Sequence, residues 1–155
     1  TRGPQRSQVP TAKAAPRARF SVMDAARLAI ADGTIDRVHS VEAAFHFDSR
    51  DAFLADLRRV LRPGGKAVLT DIAFRRDLGG GVPAANIWTG EDEYRRRCEA
   101  AGLAVARLED ITERTLTPFF AHLRACGRGA EAVLQRRAMA AYYFVVLEKV
   151  AAARE

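Results

Sequence analysis

Four side chains able to carry charge or move a proton stand just beyond stretches that read as β-strands. Asp24 follows Arg19-Phe20-Ser21-Val22-Met23, Glu42 and His46 follow the β-branched run that starts at Ile35, and Asp71 follows Ala67-Val68-Leu69-Thr70. In open α/β sheets, ligands bind beyond the carboxyl ends of the strands. Carboxylates accept hydrogen bonds there, and an imidazole, which titrates near pH ~6.5 in water, takes a proton at neutral pH. Plainer roles stand beside these. Asp24 also suits a helix cap, Glu42 an exposed strand end, and His46 a packing position in a pocket wall.

The elements that must position these groups centre on Asp48 to Asp71. Phe53, Leu54, Leu57, Val60 and Leu61 recur at spacings of three and four and share one helix face, while Arg50, Asp51, Arg58, Arg59 and Arg62 are assigned to the other. Asp48 or Ser49 can cap this helix, and Pro63-Gly64-Gly65 is expected to stop it. Ala67 to Thr70 then reads as a short buried strand with Asp71 at its carboxyl end. His46 stands before the helix and Asp71 closes the strand, so one segment holds both at the same edge of a sheet.

Around that segment the chain alternates. Arg19 to Asp24 and Ile35 to Ser40 read as strands, with a turn or short helix over Ala25 to Ala31 and a turn at Asp32-Gly33. Phe74 to Trp88 is a loop, whose Gly79-Gly80-Gly81 suits either a hinge or a surface connector. Thr89-Gly90-Glu91-Asp92 resembles a capping box opening a helix that carries Tyr94, Cys98 and Ala101 and ends at Gly102. Leu103 to Leu108 is strand-like, and Glu109 to Thr117 irregular. Pro118 is expected at the first position of a helix with Phe119, Phe120 and Leu123, and another helix over Ala130 to Met139 runs into a strand at Tyr142 to Leu147. The alternation specifies an α/β layered fold.

Charge is unevenly placed. The 155 residues carry a net charge of +6, but residues 1–19 hold Arg2, Arg6, Lys13, Arg17 and Arg19 with no acid, leaving the remainder nearly neutral. That pattern marks a basic, poorly ordered arm, and nucleic-acid binding through it is the weaker reading. The arm has no apolar core of the signal-peptide kind. No apolar run reaches the ~18 residues of a membrane span. Cys98 and Cys126 lack C-x-x-C spacing, which points to reduced, cytoplasmic thiols rather than a disulfide scaffold, and no metal-ligand constellation is visible.

Five blocks in order resemble the class I S-adenosylmethionine-dependent methyltransferases, especially the small-molecule, methyltransferase type 11-like group with macrolide and sugar O-methyltransferase members. They are V-M-D-A-A-R-L (Val22 to Leu28), D-G-T-I-D-R-V (Asp32 to Val38), S-V-E-A-A-F-H-F (Ser40 to Phe47), R-V-L-R-P-G-G-K-A-V-L-T-D (Arg59 to Asp71) and Y-R-R-R-C-E-A-A-G-L (Tyr94 to Leu103). The resemblance implies a Rossmann-like sheet, mostly parallel with an antiparallel final strand, and S-adenosylmethionine as cofactor. It implies that Asp24 accepts from the adenine amino group while the Ala25 N–H donates to a ring nitrogen, and that Ser40, Val41 and Glu42 lie beneath the methionine moiety. His46 would take the proton of a small-molecule hydroxyl acceptor, with Asp71 orienting it. Trp88, Tyr94, Phe119 and Phe120 suit an acceptor-pocket wall, although aromatic residues at this density are more often simply core. N- and C-methylation are further options.

The family's glycine-rich cofactor loop has no counterpart in these residues. The resemblance therefore implies the carboxyl-terminal portion of a methyltransferase domain over residues 20–150, with an arm at 1–19, a tail at 151–155 and the first strands of the sheet missing. Weak cofactor binding and self-association through an unpaired sheet edge would follow. The alternative is a non-catalytic remnant or interaction module of the same fold.

Overall fold

The computed structural model describes residues 19–76 and 81–150, so the arm up to residue 18, part of the triple glycine and the tail lie outside the described residues. Four strands and four helices alternate: β1 (Ile35–Val41), α1 (Arg50–Val60), β2 (Leu61–Phe74), α2 (Glu91–Ala100), β3 (Ala104–Asp110), α3 (Thr112–Ala125), α4 (Gly129–Ala138) and β4 (Met139–Glu148). Short 3₁₀ turns occupy Ala44–His46 and Ala84–Asn86. The sheet order is β1-β2-β4-β3, with β1 and β2 parallel and β4 antiparallel to both neighbours. Three strands thus share one direction and the last runs against them, as expected for the α/β class with an antiparallel final strand.

The period of two along β2 and β4 divides the core between the faces of the sheet. Leu69 and Ala73, with Tyr143, Val145 and Leu147, meet α1 and α2 through Phe53, Leu54, Leu57, Tyr94 and Cys98. Ile72, Phe74 and Tyr142 point the other way and meet α3 and α4 through Leu116, Phe120, Leu123 and Ala132.

α1 opens as expected, with the Ser49 hydroxyl accepting from the Ala52 N–H at 3.1 Å. Its end differs. Leu61 is already extended, the Gly33 N–H takes the Arg59 carbonyl, and Lys149 Nζ takes the Leu61 carbonyl, so tertiary partners finish the helix before Pro63 is reached. Pro63-Gly64-Gly65 instead forms an irregularity inside the long strand β2, where Gly64 has φ +74° and the register against β1 shifts between Ile35 and Arg37. β2 continues to Phe74, and Asp71 lies three residues short of its end.

Three further expectations are corrected. Arg19 to Asp24 is not a strand: no neighbour pairs with it among the described residues apart from a local bridge between Asp24 and Arg27, and Phe20 and Val22 are exposed. Pro118 lies inside α3, which starts six residues earlier at Thr112, because Leu116, Phe120 and Leu123 form an apolar face that packing secures despite the lost Pro118 N–H. The capping carboxylate of α2 is Glu93, not Asp92; its Oε2 accepts from the Thr89 N–H at 3.0 Å and from the Thr89 hydroxyl at 3.2 Å.

Candidate active site

A cavity of about 400 Å³ opens where the carboxyl ends of β1 and β2 meet α3, α4 and the start of β4. Its wall is mainly apolar, from Phe45, Ile72, Phe74, Leu116 and Met139 among others, and its polar members include Glu42, His46, Gln135 and Tyr142. That size and character suit a small organic ligand.

His46 closes the turn after β1, and its ring lies tilted against Phe45 with centroids 4.2 Å apart. The ring is exposed at the cavity rim, where a ligand can reach it. Glu42 lies just past β1 with φ +49°, a left-handed conformation that strains a glutamate. Its N–H donates to the Thr70 carbonyl at 2.9 Å, and its Oε1 accepts from the Tyr142 hydroxyl. Burial first, and then this bond, push the Tyr142 phenol up to about 12, so it remains a donor at neutral pH.

Asp71 does not touch His46. It is fully buried on the opposite face of β2, where it accepts from Arg50 Nη1 at 3.1 Å, from the Tyr94 hydroxyl at 2.9 Å and from the Ile72 N–H at 3.1 Å. Arg50, assigned to the solvent side of α1, is 1% exposed; it also donates to the Ile72 and Asn86 carbonyls and lies 4.6 Å from the Trp88 ring centroid. Burial acts against the charge on both partners, raising the Asp71 carboxyl and lowering the Arg50 guanidinium. Such a pair fixes geometry more than it adds stability.

What the pair fixes is the turn that carries His46. Asn86, itself fully buried, accepts at Oδ1 from the Arg50 N–H at 2.7 Å and donates through Nδ2 to the carbonyls of Phe45 and Phe47, at 3.2 and 2.6 Å, on either side of His46. Asp71 therefore reaches His46 indirectly, through the backbone N–H of Phe45 and through Arg50 and Asn86.

The other expected site residues lie along β1 and before it. Asp24 is exposed; its Oδ1 accepts from the Ala26 N–H at 2.8 Å, as in a turn cap, which leaves its second carboxylate oxygen open beside Ala25. Ser40 is in β1 with a buried hydroxyl that has no partner, and Val41 at the strand's end is 68% exposed. An orphaned hydroxyl in β1 and an exposed carboxylate at Asp24 suit a polar cofactor, so these residues are compatible with S-adenosylmethionine.

The expected aromatic wall is largely core. Trp88 and Tyr94 are buried beneath the sheet with α2 and Phe120 is in the α3/α4 core, leaving Phe119 alone of the four on the cavity. Sequence reasoning passed over Tyr142, Gln135 and Asn86. Tyr142 had a usable signal in the period of two along β4, which turns it to the opposite face from Tyr143; nothing local marks Gln135.

A family model described as a methyltransferase domain matches residues 4–69. "Methyltransferase GfsG" of Streptomyces halstedii is 33% identical over 109 residues, which is 64% of this chain and 39% of that protein. "Erythromycin 3''-O-methyltransferase" of Saccharopolyspora erythraea is 27% identical over 121 residues, covering 66% and 39%. The chain thus spans about two fifths of the length of these relatives. Among solved structures, the [4+2]-cyclase SpnF shares the fold with TM-score 0.65 at 22% identity over 86% of this chain and 56% of its own. Other structures of the same fold hold S-adenosylmethionine or S-adenosylhomocysteine.

Proposed function

We infer that this chain belongs to the class I methyltransferases, whose cofactor is S-adenosylmethionine, and from that premise we propose that it forms the acceptor side of a domain that methylates a hydroxyl group of a small molecule. The observation that carries the reading is the 400 Å³ apolar cavity with His46 and Glu42 on its wall, next to the strand edge of Ser40 and Val41. Asp24 and Ala25 would hold the adenine, and Ser40, Val41 and Glu42 the methionine end. The cofactor supplies an electrophilic methyl group on a sulfonium.

The residues of the chain supply alignment and proton removal. Apolar walls seat the acceptor and exclude water. His46 accepts the hydroxyl proton as the oxygen gains its methyl bond. Asn86 holds the carbonyls on both sides of His46, which keeps the ring at the rim. Asp71 is a positioning residue at one remove, through Arg50 and the Phe45 backbone.

The test is transfer of tritiated methyl from S-adenosylmethionine to hydroxylated acceptors by the gene product that carries these residues. His46→Ala is expected to lower kcat about 100-fold or more with cofactor affinity unchanged. Unchanged turnover removes His46 as the base.

A second reading rests on the open edge of β1 with exposed Val41: self-association of a non-catalytic module of the same fold. Cofactor binding without transfer to any acceptor would favour it. A cytoplasmic setting is compatible with the two free cysteines, and no helix among the described residues is long and apolar enough to cross a membrane.

A further inference from the structure

The cavity wall holds hydrogen-bond acceptors that lack donors. Gln135 lies one turn after Glu131 on α4, and its Nε2 donates to Glu131 Oε1 at 2.9 Å. That bond fixes the amide, and leaves Gln135 Oε1 buried without a partner among the described residues. A buried carbonyl oxygen is costly to leave unpaired, so the site is completed by a donor brought in from outside.

Glu42, an exposed residue on the same wall, is the second point. Among the described residues it is the one non-glycine with positive φ, and strain of that kind persists where the surroundings over-determine it. Tyr142 engages Oε1, and the other carboxylate oxygen has no donor among the described residues. Of the other polar members of the wall, Thr115 does not compete, because its hydroxyl already donates to the Ile111 carbonyl at 2.8 Å. The wall carries one carboxylate, Glu42, and one guanidinium, Arg76. A carboxylate or phosphate ligand would set oxygen against oxygen at both points, and an ammonium ligand would share the wall with Arg76.

We propose that Gln135 and the Tyr142-held Glu42 form a two-point clamp that selects uncharged, largely apolar ligands carrying two hydroxyl donors. The proposal rests on the reading of this cavity as the acceptor site, and it names Gln135 and Tyr142 as specificity residues. One hydroxyl is read beside His46 by Glu42, which thus stands between the methionine end of the cofactor and the acceptor. The other is read by Gln135 and serves to orient the ligand.

The chain contains two methionines, Met139 in the cavity wall and Met23 outside it, so ¹³C-methyl-methionine labelling gives one reporter for the cavity and one control. The 155-residue chain is titrated with 1,5-, 2,6- and 2,7-dihydroxynaphthalene, their dimethyl ethers and 1-naphthyl phosphate. The Met139 signal is expected to move with Met23 still, and at least one diol to bind about tenfold tighter than its ether and than the phosphate. In Gln135→Leu and Tyr142→Phe that advantage is expected to fall to about threefold or less, with an unshifted Met23 signal and melting temperature confirming the fold. Ethers binding as well as diols, tighter phosphate binding, a preference that survives both folded variants, or a Met139 signal unmoved by every diol would each overturn the clamp. No methyl donor is present, so a diol preference in a protein that transfers no methyl group would sink the methyl-transfer reading alone. Methyl transfer without a diol preference would sink only the clamp.

Discussion

Arg50 illustrates how far one residue can be read from its position. It stands three, four and seven residues before Phe53, Leu54 and Leu57, so helical geometry already puts it on the inner face of α1. Its charge suggested the outer face, and Asp71 reverses that by offering a buried carboxylate 3.1 Å away. Which residue pays this role cannot be seen locally, because Asp71 is 21 positions downstream and on another element. Arg50→Ala leaves Asp71 buried without its cation and is expected to cost about 3–5 kcal/mol in urea denaturation. The double variant Arg50→Met with Asp71→Leu is expected to recover most of that loss while turnover stays low, since Asn86 then loses the Arg50 side chain that holds its carbonyl. Full turnover in a stable double variant would deny the network its role in positioning His46.

At the level of elements, the periodic segments were legible and their boundaries depended on distant partners. β1, α1, α2, β3 and β4 follow their patterns, as do the Ser49 cap and the turn at Gly102, where φ is +76°. α3 was misread because Pro118 is a strong local stop signal. The face formed by Leu116, Phe120 and Leu123 against Tyr142 and Ala132 outweighs it. Pro118 is exposed and denies the Arg114 carbonyl its helical donor. Pro118→Ala is therefore expected to raise stability by about 1–3 kcal/mol, seen as a higher melting temperature. A lower melting temperature would mean that the proline shapes a bend on which packing of the helix depends. The stretch from Arg19 to Asp24 failed in the opposite sense, because alternation is only half of a strand and a pairing neighbour is the other half.

For the molecule as a whole, the order of strands and helices sufficed to place Glu42 and His46 beside one ligand-sized cavity, since both follow the same strand. It did not suffice for the cavity's far wall, which comes from Leu116, Gln135 and Tyr142, some 70 to 100 residues later and brought across by the antiparallel insertion of β4 between β2 and β3. The fold does not by itself dictate the chemistry, as the similarity to a [4+2]-cyclase makes plain. Val82 lines the cavity from a loop, outside the assigned proton-transfer and cofactor residues. Filling the space with Val82→Trp in the gene product is expected to lower transfer of tritiated methyl to a hydroxylated acceptor about tenfold or more, with calorimetric affinity for S-adenosylmethionine unchanged. Transfer at the original rate with the cavity filled would contradict the assignment of this cavity as the acceptor site.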